Sequence, residues 1–183
     1  MLLPVIHIAA VRVAYVEHVP LSACGSGSCG EKTRALNVQA LVAHTHAAGK
    51  RGAQLIVFPE YGITGESNYG RHHNPNPLTP KTRHPTLRNA WVSGGYTEEF
   101  GSPSGTVPCD EPSRWHLAAS LVSLSCAAKS SGVAVVANLA ENDPTAAAMY
   151  NVDVAFDTDG TFLAKYRKQN LWVRDTPALT PAD

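Results

Sequence analysis

Gln54-Leu55-Ile56-Val57-Phe58-Pro59-Glu60-Tyr61-Gly62-Ile63-Thr64-Gly65 decides the fold of this 183-residue chain. Residues 54–58 read as a short buried strand centred on the β-branched pair Ile56 and Val57. Pro59 has no backbone N–H for a sheet ladder and ends the strand. Glu60 is therefore delivered at the strand's tip. If Pro59 leaves the alternation undisturbed, Ile56, Phe58 and Glu60 share one face. A carboxylate at the end of an apolar strand is partly desolvated, which favours its protonated form and suits it to proton transfer. Taken alone, such a carboxylate is more often an ordinary loop cap.

Upstream, residues 31–48 carry Leu36, Ala40, Ala43 and Ala47 at helical spacing, with Val38, Leu41 and Val42 widening the stripe. Gly49 stands where a helix cap is expected. Residues 4–16 read as a first strand, and residues 21–30 as a Gly/Ser loop. Downstream, residues 61–112 are rich in Pro, Gly, Asn and His and lack periodicity. They are expected to be the least ordered stretch, most of it an irregular insertion at about residues 66–107. A second helix opens at Ser113, with Ser113 or Asp110 as N-cap, Leu117, Leu121, Leu124 and Ala128 on one face, and Gly132 at its end. Residues 133–139 form a continuous apolar strand. Residues 149–156 alternate, with Val152, Val154 and Phe156 on one side. Asp157-Thr158-Asp159-Gly160 is a hairpin turn into a return strand over residues 161–168. Alternating strands and helices followed by a hairpin predict a layered α/β protein. Residues 173–183 are polar, hold two prolines and are expected to form a frayed tail.

The composition is that of a globular chain, with 44% apolar residues, 16% charged residues and a formal net charge of zero. Neutrality argues against nucleic acid or an anionic membrane as partner. No apolar run reaches the roughly 18 residues of a spanning helix. The stretch after Met1 has no basic region and is interrupted by Pro4, His7 and Arg12, so no signal peptide is visible. The four cysteines, Cys24, Cys29, Cys109 and Cys126, leave the redox compartment open. A zinc site needs about four ligands, and no second pair complements Cys24 and Cys29. No metal or cofactor is expected. His72, His73 and His84 sit in the Pro-rich region, where solvated loop histidines are the commoner case.

The second chemically suggestive stretch is Tyr166-Arg167-Lys168-Gln169-Asn170-Leu171. Alternation puts Phe162, Ala164, Tyr166 and Lys168 on one strand face and Lys165 and Arg167 on the other. A lysine on the apolar side of a strand needs an anionic partner, and Glu60 is the candidate. Taken alone, a solvated strand end is the better reading of Lys168.

Together the two stretches resemble the nitrilase superfamily of carbon–nitrogen hydrolases. In that superfamily a Glu–Lys–Cys triad has its glutamate in a Phe-Pro-Glu motif and its lysine after a hairpin. Val136-Ala137-Asn138-Leu139, Tyr150-Asn151, Gly160-Thr161, Pro108-Cys109 with Pro112, and Leu124-Ser125-Cys126 point to the vanin/biotinidase branch. The resemblance is collinear from about Ile6 to Leu171. It implies an incomplete nitrilase-type α-β-β-α sandwich, with residues 1–172 as the N-terminal part of the domain. It also implies hydrolysis of a linear carboxamide in the pantetheinase/biotinidase manner, a small-molecule amide substrate, and compatibility with a homo-oligomer. The resemblance to this branch further implies a secreted or surface-anchored protein. By this carry-over Glu60 is the base and acid, and Lys168 stabilises the oxyanion. The family's nucleophilic cysteine follows the lysine, and no cysteine follows Lys168 here. The resemblance further suggests a structural role for Cys109, in a disulfide with Cys126 or another partner. The rival reading is a non-catalytic fragment or pseudoenzyme that at most binds a ligand or partner.

Overall fold

The computed structural model describes residues 8–9, 29–65, 85–172 and 179–182. Among them, β1 (Ile8–Ala9), β2 (Leu55–Val57), β3 (Thr97–Glu98), β4 (Ala134–Asp143), β5 (Ala148–Phe156) and β6 (Phe162–Arg167) build one sheet. Its order is β1-β2-β4-β5-β6. The pairs β1–β2 and β2–β4 are parallel, while β4–β5 and β5–β6 are antiparallel. β3 also runs parallel to β4, beyond the end of β2. The ten-residue β4 thus meets two short strands in succession on one edge: Leu55–Val57 opposite Ala134 to Val136, and Thr97–Glu98 opposite Ala140 and Glu141.

Helices α1 (Cys29–Lys50) and α3 (Ala119–Ser131) cover one sheet face, and α2 (Pro85–Ser93) precedes β3. The main core joins Val38 and Leu41 of α1 to Leu121 and Leu124 of α3 over Ile56, Phe58, Val135, Ala137, Val152 and Val154. The parity expected for Ile56 and Phe58 and the alternation expected in β5 therefore hold, while β4, expected as a continuous apolar run, turns Val135 and Ala137 inward. The face of α1 does not follow the expected stripe. Leu36, Ala43 and Ala47 are exposed, while Thr33, Asn37, Val38, Leu41, Thr45 and Ala48 are buried. Two of the polar residues on this inner face find partners: Asn37 Nδ2 donates to Ile63 O at 2.9 Å, and Thr45 Oγ1 to Leu41 O at 2.9 Å, whereas the buried Thr33 hydroxyl has none among the described residues.

Gly49 is not a cap but a helical residue that lies against the end of α3. A Cβ there would lie 2.8 Å from Ser131 O. Gly132 ends α3 as expected, with φ 63° and its N–H donated to Ala128 O. The start of α3 differs from expectation. Residues Pro112–Trp115 form a separate 3-10 turn, and α3 begins at Ala119 with no cap from Ser113 or Asp110. The cap comes from another element. Glu98 of β3 accepts from Ser120 N at 3.0 Å and from Ser120 Oγ at 2.7 Å, and it pairs with Arg34 of α1. A carboxylate at this helix end meets the positive end of the helix dipole.

Burial pushes the Glu98 carboxyl up, against the opposing pull of Arg34 and the Ser120 donors. A folded value above the unfolded one means the folded protein holds this proton more firmly. The group's contribution to stability is then full below about pH 4.3 and is lost as pH rises through the raised folded value. Urea unfolding of the chain and of Glu98→Gln, compared from about pH 4.5 to about pH 8, is expected to show the parent losing stability relative to the variant. Parallel curves would refute that assignment.

The stretch expected to be irregular at about residues 66–107 contains α2 and β3 in its described part. The tail also departs from expectation at residues 179–182. Leu179 is 2% exposed, Thr180 N donates to Met149 O at 2.7 Å, and Ala182 N to Lys168 O at 3.2 Å. Leu179 gives this stretch an apolar anchor in a second cluster with Trp91, Tyr96, Ala140 and Met149. Cys109 and Cys126 form a disulfide with a Cα–Cα distance of 4.9 Å, and Cys29 is disulfide-bonded as well. The Asp157–Gly160 turn forms as read, with Gly160 N donating to Asp157 O at 2.9 Å. Gly160 has φ 85°, and a Cβ on it would lie 2.7 Å from Ser125 O. The first strand expected over residues 4–16 is described only at Ile8–Ala9; the rest of it, the 21–28 loop, Cys24, His72, His73 and His84 lie outside the described residues.

Candidate active site

Glu60 follows β2 directly. Phe58 N donates to Val136 O at 2.9 Å, so the strand is still tied to β4 two residues earlier. The chain then turns: Gly62 N bonds Pro59 O at 3.0 Å, and Gly65 N bonds Tyr61 O at 2.8 Å. Tyr61 takes φ 58°, a left-handed conformation that is costly for a residue with a Cβ. This turn breaks the expected parity. Ile56 and Phe58 point into the helix-covered core, whereas the Glu60 carboxylate reaches the other face of the sheet.

That other face is marked by residues of β4 and β5 that alternate with the core positions. Asn138 of β4 and Asn151 of β5 are both buried there, 3% and 2% exposed. Asn151 Nδ2 donates to Glu60 Oε1 at 2.6 Å. Asn138 Nδ2 donates to Asn151 Oδ1 at 2.6 Å and to Asp153 Oδ1 at 2.9 Å, and Asn138 Oδ1 accepts from Tyr61 N at 2.8 Å.

Lys168 continues the line of β6, its N–H donating to Asn151 O at 2.9 Å. Its ammonium donates to Glu60 Oε1 at 2.6 Å. The structure therefore brings together the two residues singled out in the sequence, although they lie 108 positions apart. The expected desolvation is not supplied by the described residues: the side chains of Glu60 and Lys168 are 48% and 25% exposed.

The strand face of Lys168 also differs from the simple alternation. A register shift between Ala155 and Phe156 sends Phe162 to the face covered by α1 and α3, while Ala164, Tyr166 and Lys168 stay on the opposite one. Lys165 and Arg167 lie on the covered side, where Glu141 of β4 accepts from Lys165 Nζ at 2.7 Å and Arg167 Nε at 2.8 Å. Arg167 also bonds Asp143 Oδ2 at 2.9 Å and stacks 3.8 Å from the Tyr150 ring centroid. The Thr145 hydroxyl, the Ala146 N–H and Arg167 hold the Asp143 carboxyl well below its ordinary range. The bond to Glu141 holds the Arg167 proton more firmly than usual.

Asn138 and Asn151 escaped the reading of individual residues and entered only as points of family resemblance. Each is an amide inside an apolar strand, and a buried amide needs partners on both ends. That signal could have pointed to them. Among the described residues no group of three or more His, Cys, Asp or Glu side chains is placed to hold a metal ion, and no helix is long and apolar enough to cross a membrane.

Comparison with known proteins gives a consistent result. The carbon–nitrogen hydrolase family profile matches residues 21–182. Mouse (Mus musculus) pantetheinase is 30% identical over 148 residues, which make up 75% of this chain and 25% of that protein. Mouse biotinidase is 32% identical over 147 residues, 72% of this chain and 24% of that protein. The chain thus spans about a quarter of the length of these curated relatives. Among solved structures, a carbon–nitrogen hydrolase from Helicobacter pylori G27 superposes with a TM-score of 0.56 at 18% identity, covering 97% of this chain and 45% of that one. This last likeness shows the fold alone.

Proposed function

The chain belongs to the carbon–nitrogen hydrolase family, and from that premise we propose that it carries two of the three catalytic groups of a linear-amide hydrolase of the pantetheinase/biotinidase kind. The observation that carries this reading is the 2.6 Å contact between Lys168 Nζ and Glu60 Oε1 on the sheet face opposite α1 and α3.

In this mechanism a thiolate attacks the amide carbonyl, forming a C–S bond. Glu60 takes the thiol proton and passes it to the nitrogen of the breaking C–N bond, so the amine leaves neutral. The Lys168 ammonium stabilises the negative charge on the carbonyl oxygen. Water then attacks the thioester, giving its proton to Glu60, and the carboxylic acid is released with the thiol restored. The substrate is a small linear carboxamide. The disulfides of Cys29, Cys109 and Cys126 suit an oxidising compartment, consistent with a secreted or surface-anchored protein.

The thiolate has no source in these three residues, since a cysteine in a disulfide is no nucleophile. This favours the second reading for the 183-residue chain by itself: a non-catalytic piece that retains the proton-transfer and oxyanion groups. Purified as it stands, the chain is expected to show no hydrolysis of pantetheine or biotin amides, while a version extended into a downstream cysteine-bearing strand turns them over. Turnover by the short chain that disappears on Cys109→Ser or Cys126→Ser would overturn both the assignment of the nucleophile and the fragment reading.

A further inference from the structure

The direction of the hydrogen bonds behind Glu60 is fixed from one end. The N–H of Tyr61 can only donate, so the Asn138 atom facing it at 2.8 Å is the carbonyl oxygen. The NH2 of Asn138 must then face Asn151 and Asp153, at 2.6 and 2.9 Å. Asp153 as a carboxylate can only accept, which agrees. The Asn151 oxygen is thereby taken, and its NH2 faces Glu60 Oε1 at 2.6 Å. Neither amide can flip without setting donor against donor. Both are buried, so water does not replace a lost bond.

Glu60 Oε1 consequently meets two donors, the Asn151 NH2 and the Lys168 ammonium, while Oε2 takes no hydrogen bond from the described residues. We infer that Asn151, oriented by Asn138, is a positioning residue that locks Glu60 Oε1 and makes Oε2 the oxygen that carries the proton. A proton on Oε1 would point at two donors, whereas one on Oε2 meets none among the described residues. Each amide bond also polarises the next, so Asn138 strengthens the donor that Asn151 offers. This inference rests on the amide-hydrolase reading of Glu60 and Lys168, and it adds the part that turns the carboxylate.

The test follows the Glu60 side-chain carboxyl carbon by NMR across pH in the 183-residue chain, with thermal unfolding run on each variant. Asn151→Leu removes the donor at similar size and is expected to raise the midpoint of that resonance by about half a pH unit or more, because a carboxylate that loses an N–H partner binds its proton more readily. Asn138→Leu should raise it by a smaller amount, acting only through Asn151. Where Asn151→Leu does not fold, Asn151→Asp decides: it keeps the shape and the acceptor for Asn138, sets a second carboxylate against Oε1, and should raise the midpoint further. A folded Asn151→Leu or Asn151→Asp with the parent's midpoint overturns the inference, even if either change alters the melting temperature. Lys168→Met separates this from the parent reading. No movement of the Glu60 midpoint in that variant counts against the Glu60–Lys168 pair, whereas movement there with none at Asn151 counts against the positioning role alone.

Discussion

In a chain extended past Asp183 to supply the thiol, Glu60→Gln is expected to lower kcat/KM for a linear amide by roughly 10²- to 10⁴-fold, the usual worth of a positioned acid–base group. The change keeps the size of the side chain and the oxygen that accepts from Asn151 and Lys168, 2.6 Å away in each case, while removing the group that carries a proton. Lys168→Met in the same chain should cost roughly 10²- to 10³-fold, as for the loss of one oxyanion donor. The double variant is expected to fall far short of the product of the two, because members of one catalytic unit are not additive. Steady-state kinetics on the four proteins checks this. A Glu60→Gln enzyme within a few-fold of its parent would remove Glu60 from the chemistry.

The largest stability effect is expected at the other face of the same strands. Glu141 is 1% exposed and answers both Lys165 and Arg167. Glu141→Leu leaves two cations facing a sheet interior, with Asp143 as the remaining partner of Arg167. Breaking a buried pair by removing one member typically costs about 3–5 kcal/mol, because a desolvated charge is left unanswered. Urea unfolding at neutral pH reads this directly. The triple variant Glu141→Leu, Lys165→Met, Arg167→Met should recover most of the loss, since an apolar replacement of the whole group avoids the stranded charges. No difference between the single variant and the parent would mean that solvent reaches these cations.

Much of the layered α/β fold was legible because local signals agreed with the packing. The apolar runs of β2 and β4, the alternation of β5, the turn at Gly160 and the cap at Gly132 all appear where composition and turn chemistry put them. The pairing of Glu60 with Lys168 was legible too, through motif and resemblance together. What was not legible depended on partners distant in sequence. The inner face of α1 contains Thr33, Asn37 and Thr45, and Asn37 is satisfied by Ile63. The cap of α3 comes from Glu98, 22 residues upstream of Ser120. The face of Glu60 depends on the turn that begins at Pro59, and that of Phe162 on a register shift. Neither leaves a mark in the hydrophobic pattern. The anchored residues 179–182 were hidden for a similar reason, because one leucine among prolines carries the packing.

The succession of β2 and β3 along one edge of β4 also bears on the order of events during synthesis. The strand that delivers Glu60 bonds to β4, and the turn after it is tied through Tyr61 to Asn138, 77 residues later. β4, β5 and β6 by contrast form a meander of near neighbours, with α3 immediately ahead of it. Local pairings form before distant ones, because closing a long loop costs entropy in advance of any contact it brings. On a ribosome the glutamate therefore emerges early and waits. Its final position is reached only when the meander has closed and offers β4 as a template, so the segment from α1 to Glu60 is the part most in need of shelter while translation proceeds.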